Sequence, residues 1–222
     1  MYRNDLAMLT CLFSIFYIVS NIKVDKENMS GGGLLNVYDQ ELQDCPDDDY
    51  ESNGSWDENK KCSELDGGVH QICYRDIGNN SNKFSEKTGQ SDWSTDRNEQ
   101  NHCVCLGAWS LYKARLDNEE FDDNSVLRLK CDAIPKVSMS KEYVNKFSTW
   151  NGNELPDQII NGVEGLVSEC ENDANNDSDK INNLRNNYCS FANNVNTLKF
   201  KKNDDGKLTQ DLKLFYKDRC DN

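Results

Sequence analysis

Basic residues are in short supply. The chain carries 25 Lys and Arg against 39 Asp and Glu, a formal net charge of −14. A phosphate backbone or an anionic membrane surface needs a basic face, so nucleic acid and acidic lipid are excluded as principal partners. The acidity itself reads as solubility. Histidine is scarcer still, with 2 in 222 residues, and a Ser-His-Asp triad has little to draw on. No glycine-rich phosphate loop follows a strand, since Gly31 to Gly33 precedes one. Neither a G-x-S-x-G elbow nor an H-E-x-x-H motif occurs. No block of about 20 to 50 residues recurs, which excludes a solenoid. Only 3 residues are proline and 36% are hydrophobic, a thin supply for a core that 4 Trp, 9 Tyr and 8 Phe must anchor. The length fits one domain, or one domain with an appendage.

A second absence concerns membranes. The N-terminus, "MYRNDLAMLTCLFSIFYIVSNIKVDKEN", holds an uncharged apolar run from Leu6 to Val19 after a weakly basic start at Arg3. That run is shorter than the roughly 20 residues of a membrane span. With Ser20 as a small residue at the cleavage position, it has the form of a secretory signal peptide, residues 1–20. No comparable run follows, and "KDRCDN" is not an ER-retention tail. The expected localisation is secreted, or the secretory-pathway lumen, with no membrane span after signal cleavage. Asn28, Asn53, Asn79 and Asn176 each open an N-x-S sequon, which supports exposed loops there. Asn is frequent throughout, which points to nucleotide composition more than to mechanism.

What the chain does have is cysteine. Ten are present, and with Cys11 in the leader nine remain: Cys45, Cys62, Cys73, Cys103, Cys105, Cys131, Cys170, Cys189 and Cys220. An odd number prevents complete internal pairing. They lie in a pattern that changes from strand-like to helical. "LLNVYDQEL", Val69 to Tyr74, "HCVCL" and "SVLRLKCDAI" read as strands. In the last, Val126, Arg128 and Lys130 share one face and Leu127, Leu129 and Cys131 the other. Phe84 and Trp93 are candidate pins in the polar segment between the second and third strands. Cys105, Ala108, Trp109, Tyr112 and Leu116 fall at helical spacing. Ser140 caps "KEYVNKFSTW", and Pro156 opens a helix with Ile159, Val163, Leu166, Val167 and Cys170 on its apolar face. Glu171 to Asp179 reads as a linker. Ile181, Leu184, Tyr188, Phe191, Val195 and Leu198 form a stripe that packs on the domain or on a last helix, Leu208 to Arg219. The fold class is therefore α+β: a small sheet with packed helices, 31–150, followed by a helical C-terminal extension, 151–222.

The motif order "LLNVYDQELQDC", "GGVHQIC", "GQSDWST", "HCVCLGAW" and "SKEYVNKF" resembles the DUF2237 family, small α+β domains without an established activity. The resemblance covers roughly Gly33 to Phe147 and rests on order and spacing. It implies matching positions at Cys45; at Cys62; at Gly68, His70 and Cys73; at Asp92, Ser94 and Thr95; and at Cys103 and Cys105. Trp93 and Val104 stand where the family has Leu, and the loop before His102 is shorter. The resemblance implies a fold and a set of positions, not a reaction.

Three uses of sulfur follow. In an oxidising lumen the nine cysteines are disulfide candidates. Cys103 and Cys105 would bond different partners among Cys45, Cys62, Cys73 and Cys131, because an i, i+2 bridge is strained. Cys170, Cys189 and Cys220 would pair among themselves with one left over. The second use is a metal or thiol site. On a strand Cys103 and Cys105 share a face, and His70 and Cys73 could converge on them as a tetrahedral zinc set, with Cys62 able to replace any one. Asp92 or Asp76 would then be general-base candidates. A redox thiol is the third: Cys105 precedes a helix N-terminus, and His102 and Arg97 would add positive charge. His102 is expected at the surface or in a loop. "SDWST" reads as a side-chain-capped turn, and Asp92, Ser94 and Thr95 are also candidate ligand contacts. The expectation is a secreted, disulfide-stabilised interaction or structural protein with a protein partner and no cofactor. The alternative is a thiol- or metal-dependent enzyme using His70, Cys73, Cys103 and Cys105, with zinc.

Overall fold

The computed structural model describes residues 34–47, 54–63, 70–78, 83–97, 99–122, 127–146, 149–150, 153–154, 156–193 and 219–220. The chain divides into Met1–Leu34 and Leu35–Asn222. The signal peptide, Gly31 to Gly33, and Asn28, Asn53, Gly68, Asn79, Val126, Val195, Leu198 and 208–218 lie outside the described residues.

The second unit is α+β. Strands β1 (His70–Tyr74) and β2 (His102–Cys105) pair antiparallel, with Ile72 opposite Val104, Cys73 opposite Cys103 and Tyr74 opposite His102. Between them runs a short helix α1 (Phe84–Lys87), and β2 passes without a loop into α2 (Leu106–Asp117). Then come α3 (Lys141–Lys146), a small hairpin of β3 (Thr149–Trp150) and β4 (Asn153–Glu154), α4 (Pro156–Asp173) and α5 (Ser178–Asn193).

Both faces of the β1–β2 ribbon are covered, and every residue of β2 is buried. The first turns of α2 are buried as well, so this helix runs through the interior. An aromatic group fills the space beside it. Tyr74 and Phe84 lie 4.8 Å apart, Phe84 and Tyr112 5.2 Å, and Tyr112 and Phe121 5.0 Å, with Trp109 6.1 Å from Tyr74. Phe84 is thus one of the pins read from the sequence, and it is fully buried. Each such side chain contributes about 1.5–3 kcal/mol by leaving water.

Helix α4 crosses α2 at very short range. Gly162 has no side chain to hold the two apart: a Cβ there would sit 2.9 Å from the Ser110 Cα and closer still to its side chain. The Trp109 indole donates to the Gly162 carbonyl at 2.8 Å. Ile159, Val163, Leu166, Val167 and Cys170 are buried, as the apolar stripe predicts. Residues on both sides of position 150 therefore share one core, and the expected helical extension is built into it.

The expected linker is shorter than its Asn/Asp composition suggests. Glu171 to Asp173 complete α4, and Ala174 to Asn176 turn the chain with Asn175 and Asn176 at φ 49° and 65°. Asp177 then caps α5, its carboxylate accepting from the Asp179 and Lys180 amides. Leu184, Tyr188 and Phe191 of the α5 stripe are buried against the domain.

Two predicted strands are not strands. The Asn36 side chain accepts from the Tyr38 and Gln40 amides, which bends the first run into a turn with only bridges at Leu35–Glu41 and Asn36–Pro135. The fourth run keeps its alternation, with Leu129 and Cys131 buried, but pairs only through Leu129 and Tyr74. The Arg128 amide donates to the Glu169 carboxylate at 2.9 Å instead of to a neighbouring strand. Cys131–Ala133 then closes into a 3-10 turn. Ser140 caps α3 as expected, accepting from the Tyr143 amide at 3.2 Å. That helix stops at Lys146, and Thr149 and Trp150 turn into β3.

Candidate functional site

The sulfur-rich end of the β1–β2 ribbon collects most of the residues singled out from the sequence. Cys73 and Cys103 face each other across the two strands, and each reaches outward to a loop. Cys73 bonds Cys45 and Cys103 bonds Cys62. The loops are held by backbone bonds, from the Cys45 amide to Lys60 and from the Cys103 amide to Gly54. Two further disulfides lie elsewhere. Cys131–Cys170 ties the segment before α3 to α4, and Cys189–Cys220 ties α5 to the chain's end. Their Cα separations of 5.4–5.7 Å are those of ordinary disulfides.

This pairing corrects two expectations. Cys170 bonds Cys131 and not another tail cysteine, because the last turn of α4 packs beside the 3-10 turn holding Cys131. Cys105 stands outside all four disulfides. It occupies the N-cap position of α2 with its Cα opposite His70, and it is buried. The set His70, Cys73, Cys103 and Cys105 therefore does not form a thiol cluster: two of its sulfurs are in separate disulfides.

His102 is not a surface residue. It lies in β2, 6% exposed, with its ring 4.7 Å from Trp93, and Arg97 sits over the other ring of that pair, 5.8 Å from Trp93. Burial, then the charges of Arg97 and His70, push its pKa down to about 3. It is neutral at pH 7 and adds no positive charge to a thiolate. Its Nε2 lies 3.2 Å from the Ser55 hydroxyl, and Ser55 takes a left-handed φ of 62°. The contact has the outline of a nucleophile and base. An imidazole titrating near pH 3 is a poor base at neutral pH, and its Nδ1 meets no hydrogen-bond partner among the described residues. The dyad is better understood as closing the loop over β2.

The "SDWST" segment folds as the turn expected of it. Thr95 donates to Asp92, and the Ser94 and Ser85 hydroxyls lie 2.9 Å apart, each also accepting from the other's amide. Ser94 is fully buried, so its hydroxyl serves the fold; Asp92 is exposed and Thr95 half-buried. Asp76 accepts from the Glu99 amide.

Sequence reasoning missed the polar clamp around Cys45. Asn101 donates to the Cys45 carbonyl at 2.7 Å and to Asp47, and Lys130 lies 3.3 Å from the same carbonyl while pairing with Asp47. Burial alone would raise the Asp47 carboxyl, but the hydrogen bonds from Lys130 and Asn101 outweigh it and hold the group below the usual carboxylate range. An Asn preceding a histidine and a Lys in a strand-like run carry no spacing signal that announces this.

No family model matches the chain, and neither a curated protein nor a solved structure matches it. Among the described residues no helix is long and apolar enough to cross a membrane.

Proposed function

We propose that the protein is exported and acts as a disulfide-braced interaction or structural protein of DUF2237-like type, presenting its surface to a protein partner. One observation carries this reading: eight of the nine cysteines beyond the leader are joined in four disulfides. Disulfides persist in oxidising compartments and brace chains whose cores are thin. The apolar run Leu6 to Val19, with Ser20 after it, supports export. The thiol-site candidates support it from the other side, because Cys73 and Cys103 are in disulfides and Cys105 is buried. The test is expression of the full chain in a secreting eukaryotic cell. The protein should appear in the medium, its N-terminus cut near Ser20. Non-reducing peptide mapping should give Cys45–Cys73, Cys62–Cys103, Cys131–Cys170 and Cys189–Cys220. Retention in the cytosol with the leader intact and all thiols alkylatable would sink the proposal.

A further inference from the structure

The four disulfides differ in burial. Both cysteines of Cys45–Cys73, of Cys62–Cys103 and of Cys131–Cys170 are fully buried. Cys189 and Cys220 are both partly exposed. A thiolate breaks a disulfide only by reaching one of its sulfurs, so an exposed bond exchanges before buried ones. What this bond holds is the chain's end. Cys220 is bonded to α5, while its neighbour Arg219 reaches across to α4. The Arg219 guanidinium pairs with Glu171 at 3.1 Å and donates to the Ser168 hydroxyl at 3.0 Å. The other carboxylate oxygen of Glu171 pairs with Arg185 of α5 at 2.8 Å. Glu164, Ser168 and Glu171 fall on one face of α4, and the Arg219 charge acts on the Glu164 carboxyl as well. An ion pair that solvent reaches holds two residues weakly. The covalent bond is therefore what keeps the end docked.

We infer that Cys189–Cys220 is a redox latch: reduction by a dithiol frees Arg219 and Cys220 from α4 and α5, uncovers the Ser168–Glu171 face, and leaves the domain folded on its three buried disulfides. The inference rests on the oxidised pairing proposed above. The step balances within thiol–disulfide exchange. One thiolate of the dithiol attacks a sulfur of the pair and forms a mixed disulfide, and the other protein sulfur leaves as a thiolate. The second sulfur of the dithiol then displaces the first from the protein and closes the reductant's own disulfide. Two electrons pass to the protein, and the two thiol protons of the reductant end on Cys189 and Cys220. Reoxidation reverses each step. The acidic face of α4 is thus covered in one redox state and open in the other.

The experiment uses the full oxidised chain. It is treated with graded dithiothreitol, blocked with N-ethylmaleimide and mapped by mass spectrometry. Cys189 and Cys220 should be labelled at reductant concentrations that leave Cys45, Cys62, Cys73, Cys103, Cys131 and Cys170 unlabelled. The near-UV circular dichroism of that singly reduced chain should match the oxidised one. Trypsin should cut it after Arg219 about 100-fold faster, the order of the loop-closure factor for a separation of 31 residues. A guanidinium clamped on Glu171 is not available to the protease. The Cys189→Ser, Cys220→Ser variant should be cut at the faster rate without reductant and should not respond to it; the parent's own reduction series does not depend on this variant folding. The inference is overturned if a buried disulfide opens before or together with Cys189–Cys220, if opening that bond unfolds the domain, or if Arg219 is cut equally fast in both states. The earlier mapping reads export and pairing without reductant, so a chain with all four bonds and no bond that opens first loses this inference and keeps that reading.

Discussion

Single residues here are set by burial more than by sequence neighbours. His102 sits beside polar residues in the sequence, yet β2 carries it inside, and its neutral form is the one the fold accepts. The consequence is a pH dependence with a definite sign. Between an unfolded value of 6.5 and a folded value of about 3, the unfolded chain binds more protons at this ring. Stability from His102 is thus complete above about pH 6.5 and is lost as pH falls toward 3. Glu164 works in the opposite sense. Burial raises its carboxyl to about 7 against a small lowering by Arg219, so its neutral form stabilises at lower pH. The two oppose each other between 4.5 and 6.5, and a comparison of variants separates them. Urea unfolding of His102→Gln should show an acid loss between pH 7 and pH 5 about 2 kcal/mol smaller than the parent's. An identical pH profile would mean the ring is hydrated. Several asparagines also have duties that composition hid. Asn36 builds a turn, Asn101 clamps Cys45, and Asn183 and Asn187 of α5 donate to the Tyr38 and Val37 carbonyls.

At the level of elements, the α2–α4 crossing is the most sensitive contact. Its closeness depends on Gly162, where a methyl group would meet the backbone of the facing helix as well as the flexible Ser110 side chain. Gly162→Ala should therefore destabilise by about 1–3 kcal/mol, despite alanine's better helix propensity. Adding Ser110→Gly should recover part of the loss, because it removes the Cβ and Oγ that lie closest. A double-mutant cycle in urea measures this coupling; strict additivity would show that the helices part freely. The buried Arg128–Glu169 pair joins α4 to the segment before the Cys131 turn instead, with a 3.0 Å contact and side chains 13% and 8% exposed. It explains why the segment ending at Lys130 is not a full strand: α4 supplies the carboxylate that takes its amide.

For the whole molecule, the covalent links decide what holds together. Cys131–Cys170 closes a separation of 39 residues and joins the ribbon half of the core to α4. On the loop-entropy account, replacing both cysteines by alanine should cost about 4 kcal/mol. Thermal unfolding of the Cys131→Ala, Cys170→Ala variant should show it as a lowered midpoint. Unchanged stability would mean that the helix–helix contact alone carries the union. The same link shows why α4 and α5 belong to the core and are not an appendage.

Legibility from sequence followed physical range. The α+β class, β1, β2, the Ser140 cap, Pro156 at the start of α4 and the buried stripes of α4 and α5 were readable, because periodicity and capping are local. The first and fourth strands misled because their amides bond to Asn36 and Glu169 side chains, which a hydrophobic pattern does not register. For the candidate site, the sequence supplied the cysteines and four open partners for Cys103, Cys62 among them, but not the position of Cys105 or the partner of Cys170. The odd cysteine count, the acidic charge and the scarcity of histidine belong to the chain itself, since they follow from composition. Which sulfurs meet, which histidine is buried and which glycine admits a helix belong to the tertiary structure alone. Those depend on distances between residues 28 to 53 positions apart, and only packing sets such distances.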